Sequence, residues 1–238
     1  MPHLNVAEID VEIVRKEIKN IHFGVYPPNG KVRVAVPINV DDEAVRIAVI
    51  SKLSWIRKQI SSFQTQERQS KREYVSRESH YYLGKRFLLS IQEGKGKQGV
   101  TLHKSKGMIL SVRPGSTPER REKILTEWYR NELKKIVTAR IERWEATLGV
   151  TVQAFGVRKM KTKWGSCNPK AGRILINLEM IKKPEHCIDY IVLHEMVHLI
   201  EKRHNDRFRE ILTRHMPRWQ MYRDELNEAP LGHDEWRE

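Results

Sequence analysis

The segment Val192-Leu-His-Glu-Met-Val-His-Leu-Ile-Glu-Lys-Arg-His204-Asn-Asp-Arg-Phe208 constrains this chain more than any other. Ile188, Ile191, Val192, Val197 and Ile200 form the apolar lining of a buried helix. Pro184 suits its first turn, where the missing N–H costs nothing. Such a helix has no packing use for His194, Glu195 and His198, since buried polar groups are costly without partners. Positions i and i+4 share one helical face, so His194 and His198 can grip one metal ion. Glu195 sits between them, within reach of a water on that ion without being a ligand. His204 can add a third ligand and leave a fourth position open, the pattern of catalytic rather than structural zinc.

The chemistry follows from those residue types. Neutral imidazoles leave Zn2+ Lewis acidic, and the pKa of a bound water falls from about 16 toward about 7. Glu195 then takes the proton and passes it to the leaving group. Asn205 or Asp206 caps the following helix, and Phe208 packs behind the site.

Upstream, Arg158-Lys-Met-Lys-Thr-Lys-Trp164-Gly-Ser-Cys167 precedes the turn residues Asn168-Pro169 and Ala171-Gly172 and the apolar strand Ile174-Leu-Ile176. With the loosely alternating Val150–Val157, this reads as strand, turn, strand. An edge strand beside the metal helix would line a cleft, so Trp164, Gly165 and Ser166 are candidate substrate contacts. Gly165 permits close backbone approach. Arg158, Lys161 and Lys163 are candidate anion contacts. Cys167 reads as a small packed residue rather than a nucleophile.

Trp164-Gly-Ser-Cys167, Asn177, Ile188-Asp-Tyr190 and the HExxH-x5-H-x3-F run closely resemble the YgjP-like (DUF45) group of predicted zinc metallopeptidases. The resemblance is dense over residues 150–215 and looser elsewhere, including Tyr82-Leu-Gly-Lys85. The metal motif is also similar to that of the WLM and SprT-like metallopeptidases. The resemblance implies His194, His198 and His204 as metal ligands and Glu195 as catalytic acid/base. It implies a minimal zincin fold: scaffold helix, short antiparallel sheet, HExxH helix. The chain departs from the pattern with Lys163 where an arginine is common, and with Leu178-Glu179 where an aromatic often follows Asn177.

The remaining sequence sets the fold class as α+β. Strands are expected at 11–14, 21–26 and 32–36, with Pro27-Pro28-Asn29-Gly30 as a hairpin turn. One helix follows from about Asp41 to Ile60, with Trp55 in the core. The polar run 65–78 reads as a solvated helix end or loop. Further strands fall at 81–91, 99–102 and 108–112. Pro114-Gly115-Ser116 marks a boundary between a β-rich domain, 1–114, and a hydrolase domain, 115–238. Thr117-Pro118 opens a long amphipathic helix that Gly149 ends. A helix runs from His204 to about His215, where Pro217 closes it; His215 and Trp219 are read as structural, and 227–238 as weakly ordered. No internal repeat stands out.

Lys and Arg outnumber Asp and Glu by 44 to 30 in 238 residues, a net charge of +14. The excess is larger in residues 1–114, with 20 basic and 11 acidic side chains. This favours polyanionic partners and leaves open a nucleic-acid contact through the basic surface. No run approaches the roughly 18 apolar residues of a membrane span. The N-terminus lacks a signal-peptide pattern and there are two cysteines, so the expected setting is cytoplasmic, without a disulfide and without a membrane partner.

These features predict a zinc-dependent hydrolase, with another divalent transition metal as an option. Peptides or proteins are the leading substrates, with a DNA-associated peptidase as a variant. A nucleoside triphosphate pyrophosphatase would use the same water, with Arg158, Lys161 and Lys163 on the phosphates, although no Gly-rich phosphate loop accompanies them. A nucleic-acid module with structural zinc would need a fourth protein ligand and leave Glu195 idle.

Overall fold

A computed structural model describes residues 3–26, 30–65, 72–103, 107–160 and 163–228. Lys161, the proposed turn at Pro27–Asn29 and the tail beyond 228 lie outside the described residues. The chain divides into two compact units, Met1–Gln69 and Ser70–Leu231.

The first unit begins with β1 (His3–Val6), β2 (Ile9–Lys16), β3 (His22–Tyr26) and β4 (Lys31–Pro37). They form one sheet in the order β1-β2-β4-β3, with a parallel central pair flanked by antiparallel pairs. Alternation along β4 turns Val32, Val34 and Val36 inward. They meet Val11 and Ile13, and Val45, Val49 and Ile56 from two helices, α1 (Asp42–Ser51) and α2 (Leu53–Thr65). Asp41 caps α1 by accepting from the Ala44 N–H. The single helix expected over 41–60 is broken at Lys52, whose N–H returns to Val49 and Ile50 carbonyls. Ile56 is fully buried on the stripe that continues from Val45 and Val49, and Trp55, expected to be buried, is 42% exposed.

The second unit repeats the arrangement. Strands β5 (Ser79–Tyr82), β6 (Lys85–Glu93), β7 (Gly99–His103) and β8 (Gly107–Val112) pair in the order β5-β6-β8-β7, again with a parallel pair between antiparallel ones. Counterparts begin 76 or 77 residues apart: His3 and Ser79, Ile9 and Lys85, His22 and Gly99, Lys31 and Gly107. The first hairpin of each set turns through two left-handed residues, Ala7-Glu8 and Leu83-Gly84, as a tight hairpin requires. Few side chains match between the sets, so the repeat is invisible in residue identities.

A 31-residue helix, α3 (Pro118–Leu148), follows β8. Thr117 caps its start and Gly149, at φ +65°, its end, as the sequence predicts. Leu125, Tyr129, Leu133, Val137, Ile141 and Trp144 form its buried face. Then come β9 (Ala154–Arg158), β10 (Gly165–Asn168) and β11 (Arg173–Asn177), in the order β10-β11-β9. This sheet is mixed rather than purely antiparallel, because β9 and β11 run parallel. Helices α4 (Glu185–Val197), α5 (Asp206–His215) and α6 (Trp219–Glu228) complete the unit. Pro217 closes α5, but the chain resumes helix at once.

One core joins Phe87, Leu89, Met108 and Leu110 to the face of α3, to Ile174 and Ile176, and to α4. The division of the chain therefore differs from the expected boundary at residue 114. A sheet whose inner face is covered by α3 cannot belong to a separate domain from α3. Among the described residues no helix is long and apolar enough to cross a membrane. The overall class is α+β.

Candidate metal centre

The metal helix is fixed from both ends. At its start, the Leu83-Gly84 turn donates N–H bonds to the carbonyls of Ile181 and Lys182, at 2.8 and 3.2 Å. A Cβ on Gly84 would lie 2.8 Å from Pro184 Cγ, and its φ of +76° suits glycine. The Tyr82-Leu-Gly-Lys85 motif is thus a docking turn for the residues that launch α4. Along its length, Trp144 Nε1–H of α3 donates to Asp189 Oδ1 at 2.8 Å. Cys187, Ile188, Ile191, Val192, Leu193, Met196 and Val197 are buried, so α4 is wrapped on nearly all sides. It ends at Val197 with His198 as its cap, earlier than the Ile200 expected, because the next N–H groups turn back to Met196 and Val197 carbonyls.

His194, His198 and His204 converge. One ligand atom from each lies within 4.8 Å of the others, and the Nε2 atoms of His194 and His204 are 3.1 Å apart. Tetrahedral zinc with Zn–N near 2.05 Å places neighbouring nitrogens about 3.3 Å apart. The far side of two rings is already committed. His198 Nδ1–H donates to the Glu201 carbonyl at 3.1 Å, which leaves Nε2 with its lone pair. His194 Nδ1 faces the Tyr190 hydroxyl at 3.4 Å; with Nε2 free for a metal, Nδ1 carries the proton and the tyrosine oxygen accepts it. Burial and the neighbouring imidazoles push His194 down to about 3, and burial lowers His198 as well. Both rings are therefore neutral at pH 7, the state that binds metal. Phe208 is the floor of the cluster, its ring 4.7 to 5.0 Å from all three imidazoles. Asn205 holds it there, capping α5 by accepting from the Phe208 N–H at 3.0 Å.

Glu195 is buried, and desolvation raises its carboxyl to about 7 against the opposing pull of Lys163. A Cβ on Gly165 would lie 2.5 Å from Glu195 Oε1. Close approach at Gly165, expected toward substrate, is thus made toward the glutamate. Because Gly165 pairs with Ile176 at the start of β10, this contact sets the edge strand beside the metal helix. Cys167, in the same strand, is pushed up to about 11 by burial and by Glu195, so it is a neutral packed thiol near neutrality.

The other proposed substrate contacts separate. Trp164 and Ser166 stand partly buried at and after the entry to β10. Lys183 Nζ lies 5.3 Å from the Trp164 ring centroid. Lys163 is exposed beside Glu195's field. Arg158 is exposed at the end of β9, on the opposite edge of the sheet, about 10 Å from β10 at ordinary strand spacing.

Two supports had a place in the motif but no assigned role. Asn177 is fully buried. Its Nδ2 donates to the Met160 and Lys163 carbonyls, and its Oδ1 accepts from the Met160 and Glu179 N–H groups. It saturates its hydrogen-bonding capacity to tie down the approach to Trp164-Gly165. Tyr190 orients His194, and Trp219 stacks on Tyr190 at 6.4 Å. His215 meets Trp144 edge-on at 6.3 Å. His215 and Trp219 thus sit in aromatic contacts with Trp144 and Tyr190.

Comparison with known proteins identifies the family of the chain. The model of the YgjP-like, metallopeptidase domain family matches residues 19–229. Two solved structures are similar in part. The metallopeptidase zymogen abylysin of Pyrococcus abyssi is 22% identical, with a TM-score of 0.36, over 38% of this chain and 90% of that one. The metallopeptidase zymogen jannalysin of Methanocaldococcus jannaschii is 20% identical, with a TM-score of 0.33, over 40% and 92%. No curated protein matches. The family match spans most of the chain, from a point after β2 through α6, and the chain belongs to the YgjP-like family of metal-dependent metallopeptidase domains.

Proposed function

We propose that the chain is a cytoplasmic zinc peptidase in which His194, His198 and His204 are the ligands and Glu195 is the acid/base. The observation that carries this reading is the packing of the buried Glu195 carboxyl against Gly165, which joins a proton acceptor, a three-histidine cluster and a sheet edge in one place. A zinc ion held by the three imidazoles would acidify water and polarise a carbonyl oxygen; another divalent transition metal could take the same donors. Glu195, raised toward neutrality by burial, accepts the proton of the attacking water and returns it to the leaving amine. Among the described residues β10 pairs only with β11, and its other edge suits an extended peptide held by main-chain hydrogen bonds. Trp164 and Ser166 flank that edge, and Lys163 offers a cation at its entrance. Cys167 and Cys187 are both unpaired, which fits a reducing compartment.

The test compares zinc-loaded wild type with Glu195→Gln on unstructured proteins, with and without DNA, and on nucleoside triphosphates. Proteolysis that disappears in the variant supports the reading, and stimulation by DNA would add a nucleic-acid partner. Pyrophosphate release without proteolysis would overturn the substrate assignment. Proteolysis retained in Glu195→Gln would overturn the acid/base.

A further inference from the structure

A second cluster of metal-binding side chains lies at the other end of α4. His186 and Cys187, in its first turn, and Glu225 of α6 each present a ligand atom within 4.8 Å of the others. His186 Nε2 and Glu225 Oε2 are 2.6 Å apart. The Cys187 thiol is hydrogen-bonded to the same carboxylate. Tyr222, one turn before Glu225, lays its ring on His186 with centroids 4.7 Å apart, which fixes the imidazole plane. His186 and Glu225 are partly open to solvent, while Cys187 is wholly buried. Eight residues of helix, about 12 Å, separate His186 from His194, so these groups cannot share the first ion.

We propose that His186, Cys187 and Glu225 form a second, three-ligand site for a borderline-soft divalent cation such as zinc, clamping α6 to the first turn of the metal helix. One sulfur, one imidazole nitrogen and one carboxylate oxygen match the donor preferences of zinc and cobalt, with water completing four-coordination. Binding displaces the thiol proton to solvent and replaces the hydrogen bonds that now join the three side chains. The ligands come from segments 39 residues apart, so the ion cross-links the last helix of the chain to the helix that carries Glu195. Lys183, the neighbouring cation, has its ammonium over the Trp164 ring.

The experiment titrates the chelator-stripped full chain with cobalt, reading metal content and the thiolate-to-cobalt charge-transfer absorption in the near ultraviolet. Two ions per chain and a charge-transfer band are expected in wild type. Cys187→Ser should bind one ion and lose the band, whereas Cys167→Ser should keep both ions and the band. His204→Ala should lose one ion and keep the band, which separates this site from the three-histidine centre. His186→Gln and Glu225→Gln alter half-open side chains, and so test the site even where Cys187→Ser folds poorly. Each should weaken the second ion at least tenfold. One ion and no band in wild type, or a band that survives in Cys187→Ser, would reduce the trio to a hydrogen-bonded staple and overturn the proposal.

Discussion

The two four-stranded sheets share strand order, pairing and turn geometry, yet their surroundings differ. The first is covered by helices of 10 and 13 residues. Ile47 and Ile50, on α1, are 62% and 54% exposed. The second is covered by α3, long enough to pass from the sheet to the metal helix, and its first turn is docked on the residues that launch α4. The same backbone plan therefore holds a core of its own with two short helices in one place and is a foundation for the candidate metal centre in the other. What distinguishes them is the length and face of the covering helix and one glycine in a turn, rather than the topology of the sheet. Sheet topology is set by turns and crossovers, while chemistry is added by what packs on it.

The comparison can be broken most severely at the centre itself. Glu195→Gln should lower hydrolysis by roughly 10²–10⁴-fold while zinc content stays unchanged, since that is what general acid–base help is worth. Parallel metal analysis and peptide assays would check this, and full activity would show that the second sheet's unit holds its chemistry elsewhere.

Gly165→Ala should come next. The added carbon must displace the Glu195 carboxylate, and a misplaced catalytic group costs on the order of 10²-fold. A kcat that falls while zinc affinity holds would separate positioning from metal binding.

The same glutamate also predicts a pH effect on the metal-free protein. Its folded pKa of about 7 lies above the unfolded value of 4.5. The folded state thus binds the extra proton, and stability falls as pH rises between those values. Above about pH 7, Glu195→Gln should stabilise the stripped protein by roughly 3 kcal/mol, as read by denaturant unfolding. No gain would mean that the carboxyl is better solvated than its burial implies.

The two matching turns give the sharpest contrast. Gly84→Ala places a carbon 2.8 Å from Pro184 Cγ at a left-handed residue, and should cost about 1–3 kcal/mol and loosen the metal helix. Glu8, at φ +69° in the equivalent turn, gains from Glu8→Gly by up to about 1 kcal/mol. Thermal unfolding of both variants would test this, and equal effects would show that docking on Pro184 adds nothing to the turn.

Much of the centre was legible in the sequence. The i, i+4 spacing of His194 and His198 on an apolar helix points to a metal without any tertiary knowledge. Thr117-Pro118 and Gly149 mark α3 to the residue, because capping is local chemistry. Gly165 stood out, but its reason did not. A glycine signals close approach without naming what approaches, and here the neighbour comes from a helix 30 residues later. Asn177 and Asp189 are similar, since a buried polar residue declares that it needs partners and not which ones they are. Trp55 was misplaced because the buried stripe runs through Val45, Val49 and Ile56, and Trp55 lies about 100° of helix away from Ile56.

By itself the sequence determined the α+β class, the metal helix, the long scaffold helix and the set of side chains able to hold a cation, because period, capping and ligand spacing act over a few residues. Only the tertiary structure decided that β5–β8 share a core with α3, that the chain carries the same four-stranded plan twice, and that His186 and Cys187 meet Glu225. Those facts depend on segments tens of residues apart, whose encounter is fixed by burial of whole faces rather than by any local pattern.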